Sequence, residues 1–301
     1  MITSFEQLFR ELTATGRERI VIAGGEDPEA LKAAQESFAK GLGHAILVGR
    51  QDKIEQSLTA LGFQDQSFVA EIVPVQEDAE KAFAAIEEVK KGGILLKGKI
   101  NTADLMRAVL HKEKGLRTEN FMSNVFAFED RREGKSRLVL LSDGGVNIKP
   151  DLTAMVAIIK NAVSFAQKLG VEKPKVALLA AIEMVNPDME ETLQASVITK
   201  MNQRGQIPDC IIDGPLALDN AISEFAAEKK GIASPVAGNA DILIVPNIAC
   251  GNILGKSVMY YAGFPAGNLT VGAKVPIMIP SRADRSESKL NSIALSILYN
   301  R

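Results

Sequence analysis

Two stretches of the chain bring hydroxyl, guanidinium, ammonium and carboxylate groups together at spacings that could hold an anion and move a proton. The first is "PSRADRSESKLNSIALSIL" (280–298). Its Leu290, Ile293, Ala294, Ile297 and Leu298 recur at i, i+3, i+4, i+7 and i+8, the stripe of a helix with a buried face. Ahead of the stripe stand Ser281, Arg282, Asp284, Arg285, Ser286 and Glu287. Acids suit a helix N-terminus, whereas arginines there oppose its dipole. Asp284 as cap with Glu287 three residues on would make a variant capping box. That accounts for the acids and leaves the arginines unexplained. Glu287 also lies three residues before Leu290, along the apolar stripe, so it is expected to point inward. A serine hydroxyl, a guanidinium and a carboxylate at one helix start form an acid/base and anion-holding set.

The second stretch is "GGILLKGKINTADLMRAV" (92–109), an apolar strand that passes through a Gly-Lys turn into a helix. Asn101 or Thr102 can cap that helix, leaving the next backbone N–H groups free to meet an anion. Lys97 and Lys99 flank the entry, and Arg107 follows about a turn and a half in. The alternative is a capped helix with exposed basic residues and nothing bound.

Two further segments could touch a ligand. In "LSDGGVNIKPD" (141–151) a strand ends at Ser142, Asp143 and two glycines, of which Gly144 allows close approach of backbone to ligand. The same residues would also serve a plain tight turn. In "NIACGN" (247–252) Asn247 or Asn252 could cap a helix or hydrogen-bond a ligand amide. Cys250 has no histidine near it in sequence and is expected to be a small buried residue rather than a nucleophile.

These segments need elements to position them. Short apolar runs alternate with helical patterns: "RIVIAGG", "HAILVG", "AEIVPV", "GGILLKG", "SRLVLLSDGG", "KVALLA", "DCIIDG" and "ADILIVPN" read as strands with helices between or after them. Continuous rather than alternating apolarity means strands buried on both faces, and crossover helices mean a largely parallel sheet. The alternation breaks at "MSNVFAFEDRREGKSRLVLLSDGG" (122–145), where two strands flank a polar turn, a hairpin pattern. So many strands suit two α/β domains better than one. The expected division is 1–134 with 280–301, and 135–279.

The 301 residues carry a net charge of −2, with 46% apolar and 24% charged residues, ordinary usage that points to neither nucleic acid nor a polybasic membrane patch. Two cysteines far apart and two histidines argue against a disulfide framework or a multi-histidine metal site. The N-terminal twenty residues, with acids among their apolar positions, read as an amphipathic helix rather than a signal peptide, and no apolar run reaches the length of a membrane span. A soluble, cytoplasmic protein is expected.

Taken in order, "LLKGKINTADLMRAVL", "LSDGGVNIKPD", "PKVALLAAIEMVNPDM", "IIDGPLALDNAI", "SPVAGNADILIVPNIACGNILGKS" and "PSRADRSESKLNSIAL" resemble the phosphate acetyltransferase/phosphate butyryltransferase family along almost the whole chain. "KGKINT" with "PSRADRSESKLNS" looks like the butyryl or branched-chain branch. The resemblance implies reversible conversion of acyl-CoA and phosphate into acyl phosphate and CoA. It implies two α/β domains of the isocitrate/isopropylmalate-dehydrogenase-like fold, with an interdomain active-site cleft and the last helix packed on the N-terminal domain. It also implies a homodimer formed through the second domain, and no metal or redox cofactor, CoA being a substrate.

By position, Ser281 and Arg282 match the family's catalytic Ser-Arg pair, Arg107 the arginine of its Thr-x-x-x-x-Arg helix on the phosphate side, and Thr102 the hydroxyl that opens that helix. Acetyltransferases carry an aspartate base seven residues after the Ser-Arg pair; here that position is Ser288, and Glu287, one place earlier, is assigned the role. No counterpart stands for a second anion-binding arginine, a part open to Lys97, Lys99 or Arg285. Lys99 is therefore grouped with Thr102 and Arg107 on the phosphate side, and Asn252, Asp143 and Gly144 are assigned to CoA. Other readings are a phosphate acetyltransferase, a transferase fed by acyl carrier protein, and a non-catalytic CoA-binding protein. A further one is an NAD- and Mg²⁺-dependent hydroxy-acid dehydrogenase, drawing ligands from Asp209, Asp213, Asp219 and Asp241.

Overall fold

The computed structural model describes residues 1–13, 17–134 and 136–301, and its backbone separates into two units: 5–120 with 265–301, and 1–4 with 121–264. The N-terminal unit begins with α1 (Phe5–Thr13), β1 (Glu18–Ala23), α2 (Pro28–Ala39), β2 (Gly43–Gly49), α3 (Gln51–Ala60), β3 (Val69–Pro74), α4 (Asp78–Lys90), β4 (Ile94–Lys97) and α5 (Thr102–Val109). The central unit follows with β5 (Ser123–Asp130), β6 (Arg137–Ser142), α6 (Leu152–Lys168), β7 (Lys175–Leu179), α7 (Glu190–Gln203), β8 (Ile211–Leu216), α8 (Leu218–Ile222), α9 (Glu224–Lys229), β9 (Ile242–Ile244) and α10 (Ile248–Tyr260). The chain then returns to the N-terminal unit with β10 (Ala266–Val271), β11 (Ile277–Met278) and α11 (Ser286–Asn300).

In the N-terminal unit the strands run in the order β3-β2-β1-β4-β11-β10. All neighbours are parallel except β10 and β11. The strands are continuously apolar because helices cover both faces: Ile20, Val21, Ile22, Leu95, Leu96 and Ile277 have no exposed surface. From β1 the chain steps outward through β2 to β3, then crosses back to lay β4 on the other side of β1. The order reverses between β1 and β4, which opens a crevice beyond their carboxyl ends, where open α/β sheets place ligands.

Helix α11 packs on α1 and α2 and on strands β4 and β10. The expected apolar stripe is present, yet burial goes nearly all round the helix, since Ser288, Lys289, Asn291, Ser292 and Ser296 are buried as well. Small hydroxyls let it approach closely: the Ser292 hydroxyl donates to the Ser288 carbonyl at 2.8 Å and accepts from the Asn268 N–H at 2.9 Å. At Gly267 of β10 a Cβ would meet Ser292 N at 2.7 Å, so only glycine fits that contact.

The central unit orders its strands β5-β6-β9-β7-β8, with β5 and β6 antiparallel and the rest parallel. The anticipated hairpin forms, Phe126–Asp130 pairing with Leu141–Arg137; Lys135 and residues 14–16 lie outside the described residues. The division into units differs from the boundaries expected at 134/135 and 279/280. It falls at 120/121 and 264/265, which keeps the hairpin whole and leaves β10 and β11 with the N-terminal unit. Those two strands were not expected from the sequence; β11 has only two residues and no period to read.

Cys250 is exposed in the first turn of α10, against the expectation of burial, whereas Cys210 is buried and its thiol is pushed up to about 11 by burial. Among the described residues no helix is long and apolar enough to cross a membrane.

Candidate active site

The crevice of the N-terminal unit is shaped first by glycines. Gly24, which follows β1, has φ +82, and a Cβ there would lie 2.4 Å from the Lys99 carbonyl oxygen. A Cβ on Gly98 would lie 2.2 Å from the Gly24 oxygen. The loops leaving β1 and β4 therefore touch backbone to backbone, tied by Gly98 N–H to Ala23 O and Lys99 N–H to Gly24 O, both at 2.8 Å. Two helices start from these loops. Asp27 caps α2 by accepting from Ala30 N–H at 2.9 Å, and Asn101 caps α5 by accepting from Ala103 N–H at 2.8 Å. Of the two cap candidates at α5, Asn101 takes the role and Thr102 is the first helical residue, exposed, as is Lys99.

A third helix start arrives from β11. Met278 of β11 lies opposite Leu96 of β4 in parallel register, so the Ser281–Arg285 turn leaves the sheet at the same end as Gly98–Thr102. The Asp284 carboxylate accepts from Ser281 N–H at 2.8 Å, and the Asp284 N–H donates to the Ser281 carbonyl at 3.1 Å. Below the turn the buried Lys289 ammonium donates to the Asp284 carbonyl at 2.7 Å. The expected capping box does not form. Asp284 is occupied by Ser281, the cap position falls on Arg285 without a side-chain bond, and the first N–H of α11, at Ser286, is met by the Glu29 carboxylate of α2 at 2.9 Å. Glu287 is exposed rather than inward, because the buried face of α11 begins one residue later at Ser288.

The site is rich in positive charge. Arg282 is exposed and makes no ion pair or side-chain hydrogen bond among the described residues. Lys97, at the tip of β4, is buried; burial, then the Arg282 and Lys289 charges, hold its ammonium below the usual lysine range, with Asp27 acting the other way. The Glu29 carboxyl is held below its usual range by the Lys32 hydrogen bond first, then by Ser286 N–H and the Lys32 and Lys289 charges, against the opposing effect of burial. Three helix N-termini add the positive ends of their dipoles. The arrangement suits an anion held by N–H groups and guanidinium, with the Ser281 hydroxyl beside it. Arg107 stands apart, in the last turn of α5, ion-paired to Asp104 at 2.8 Å with its side chain 71% exposed.

Lys289, Asp27 and Glu29 were not singled out from the sequence. For Lys289 a signal existed: it lies four residues before Ile293, on the buried stripe.

In the central unit Asp143 is buried and fully engaged. One carboxylate oxygen accepts from Gly145 and Val146 N–H groups, the other from Asn124 N–H and the Asn147 side chain. It builds the loop after β6 rather than offering a free group to a ligand. At Gly144 a Cβ would meet the Gly251 carbonyl carbon at 2.9 Å, so the glycine admits the start of α10. Asn247 caps α10 through Cys250 N–H at 3.0 Å, and the exposed Asn252 amide donates to the Gly144 carbonyl at 3.4 Å. Asp143, Gly144 and Asn252 thus come together.

Three of the four aspartates of the dehydrogenase reading are otherwise engaged: Asp213 with Gly214 N–H, Asp219 with Lys230, Asp241 with Lys175 N–H. Among the described residues no group of three or more His, Cys, Asp or Glu side chains is placed to hold a metal ion.

Comparison with known proteins gives a consistent answer. The family described as phosphate acetyl/butaryl transferase matches residues 4–94 and 74–297. A phosphate butyryltransferase of Clostridium acetobutylicum is 40% identical over 300 residues, covering 99% of this chain and 98% of that one. A phosphate acetyltransferase of Thermotoga maritima is likewise 40% identical, over 284 residues, covering 94% and 95%. The crystal structure of a branched-chain phosphotransacylase from Enterococcus faecalis superposes with TM-score 0.83 at 32% identity, covering 94% of this chain and 99% of that one. A 4-hydroxythreonine-4-phosphate dehydrogenase from Klebsiella pneumoniae, at 13% identity and TM-score 0.54 over 95% of this chain and 100% of that one, shares the fold alone, in keeping with the dehydrogenase-like α/β class. With its motifs, its fold and its relatives in agreement over nearly its full length, the chain belongs to the phosphate acetyl/butaryl transferase family.

Proposed function

We propose that the chain transfers a short-chain acyl group, butyryl or branched-chain, reversibly between CoA and phosphate by direct attack in a ternary complex. The observation that carries this is the crevice at the β1–β4 reversal, where Arg282, Ser281 and the start of α5 share the carboxyl end of one sheet. A phosphate oxygen attacks the thioester carbonyl carbon, giving a tetrahedral oxyanion. Its collapse breaks the C–S bond, the bonding pair leaves on sulfur, and the proton lost by the phosphate balances the thiolate. Ser281 and Arg282 stabilise the oxyanion, while Thr102 at the start of α5, Lys99 and Arg107 hold the phosphate, Arg107 after exchange from Asp104. Glu287 takes the thiol proton in the reverse direction. No atom changes oxidation state, so the chemistry requires no redox cofactor, and no covalent enzyme intermediate is needed when both substrates are held together.

Asn252 and the Gly144 backbone are the CoA contacts in this reading, with Asp143 fixing their loop. Acyl-CoA, phosphate and acyl phosphate are the partners, and a cytoplasmic homodimer is the expected form. Acetyl transfer is the second reading, since relatives named for butyryl and for acetyl transfer are equally identical to this chain. Thiol release from acetyl-, butyryl- and isobutyryl-CoA, with and without phosphate, tests it. Release that requires phosphate and falls about 10²–10³-fold in Arg282→Ala is expected, by analogy with loss of one oxyanion donor. Release indifferent to phosphate would sink the proposal, and a preference for acetyl-CoA would select the second reading.

A further inference from the structure

Lys97 is 4% exposed, yet no carboxylate pairs with it among the described residues; its one hydrogen bond is to the Gly98 carbonyl at 3.4 Å. It ends the otherwise apolar β4 and feels Arg282 and Lys289 from the β11–α11 side, and Asp27 from the start of α2. Of these only Asp27 favours its charge, and the Asp27 carboxylate already accepts from Ala30 N–H. Glu29, two residues after Asp27, is taken by Lys32 and Ser286 N–H. An ammonium buried among like charges and helix N-termini, without its own carboxylate, lies in an environment that disfavours it. The same environment favours whatever dianion enters.

We propose that the Lys97 ammonium is a catalytic residue that binds an oxygen of the phosphoryl group beside Arg282. The identity of the anion rests on the acyl-transfer reading above; the binding of an anion here does not. Lys97 thereby takes the place left by the missing second arginine. It differs from Lys99, which is exposed, and from Arg107, which has its own acid.

The test compares the full-length protein with Lys97→Met and Lys97→Gln. The phosphate KM is expected to rise roughly 10- to 100-fold, the loss of one charge-assisted hydrogen bond, with the acyl-CoA KM little changed. Inhibition by sulfate, a non-reacting tetrahedral dianion competing with phosphate, should weaken by a similar factor. Without anion, neither variant should melt below the parent, because an uncompensated charge has been removed; the rise in melting temperature that phosphate gives the parent should be lost in both. Unchanged phosphate KM and sulfate inhibition would overturn the proposal, as would a fall in kcat with both unchanged. A lower melting temperature in both variants without anion would overturn it too, since the charge would then be compensated. If the parent turns over no acyl-CoA but binds phosphate in a Lys97-dependent way, the acyl-transfer reading fails and this one stands. If Lys97→Met turns over with parental phosphate dependence, the reverse holds.

Discussion

Ser281 and Asp284 hold each other across one tight turn: the Ser281 N–H donates to the Asp284 carboxylate at 2.8 Å, and the Asp284 N–H returns a bond to the Ser281 carbonyl at 3.1 Å. Arg282 rides between them, and Lys289 fixes the Asp284 carbonyl from below at 2.7 Å. The carboxylate is therefore a positioning group for the Ser-Arg pair. In Asp284→Ala the Ser281 N–H loses its acceptor, for a stability loss of about 1–3 kcal/mol. The turn slackens, and kcat should fall by up to about 10²-fold, the scale of a small misplacement near the reacting atoms. Asp284→Asn keeps an acceptor oxygen and should recover most of kcat. Steady-state kinetics beside thermal melts decide it; parental kcat in Asp284→Ala would show that the turn needs no such brace.

Glu287 sits in the first turn of α11, exposed, where a carboxylate also meets the positive end of the helix dipole. A thiol of pKa ~8.5 is little ionised at neutral pH, so a base matters most in the direction where CoA attacks acyl phosphate. Glu287→Gln should slow that direction by about 10²-fold or more, most at low pH where thiolate is scarcest. A pH profile for acyl-CoA formation that matches the parent's would remove Glu287 from the chemistry and leave it as a helix-dipole residue.

Much of this architecture was open to reading from sequence, for identifiable reasons. Continuous apolar runs ending in glycine turns, such as Ile94–Leu96, read as strands covered on both faces, and the Asn101 cap follows from a short polar side chain set before a helical pattern. What escaped depends on tertiary contact. Whether Glu287 or Ser288 turns inward is a matter of one residue on a helix whose circumference is almost wholly buried, so the apolar stripe of α11 does not settle its first turn. The cap of α11 comes from Glu29, 257 residues away, which local patterning cannot reveal. Cys250 is small and precedes Gly251, which packs on Gly144, yet it is exposed on α10. Lys97 was visible as a basic residue at a strand end; its lack of a carboxylate was visible only in three dimensions.

That lack has a thermodynamic signature in the protein without anion. Burial, Arg282 and Lys289 lower the Lys97 pKa from its ordinary 10.5 more than Asp27 raises it. Below the folded-state pKa both folded and unfolded chains hold the proton, and the full cost of the buried charge weighs on the fold. Between the folded-state value and 10.5 the unfolded chain binds more protons than the folded one, so stability rises with pH through this window. Above 10.5 neither state carries the charge and the contribution vanishes. Lys97→Met has no such term. The melting temperature of Lys97→Met minus that of the parent should therefore be largest near neutrality and shrink steadily on the alkaline side, other groups cancelling in the difference. Saturating phosphate should reverse its sign at neutral pH, because the dianion stabilises the ammonium and has nothing to bind in methionine's place. A difference that grows with pH would mean that the folded state favours the Lys97 proton, and that the crevice has an acid within reach of it.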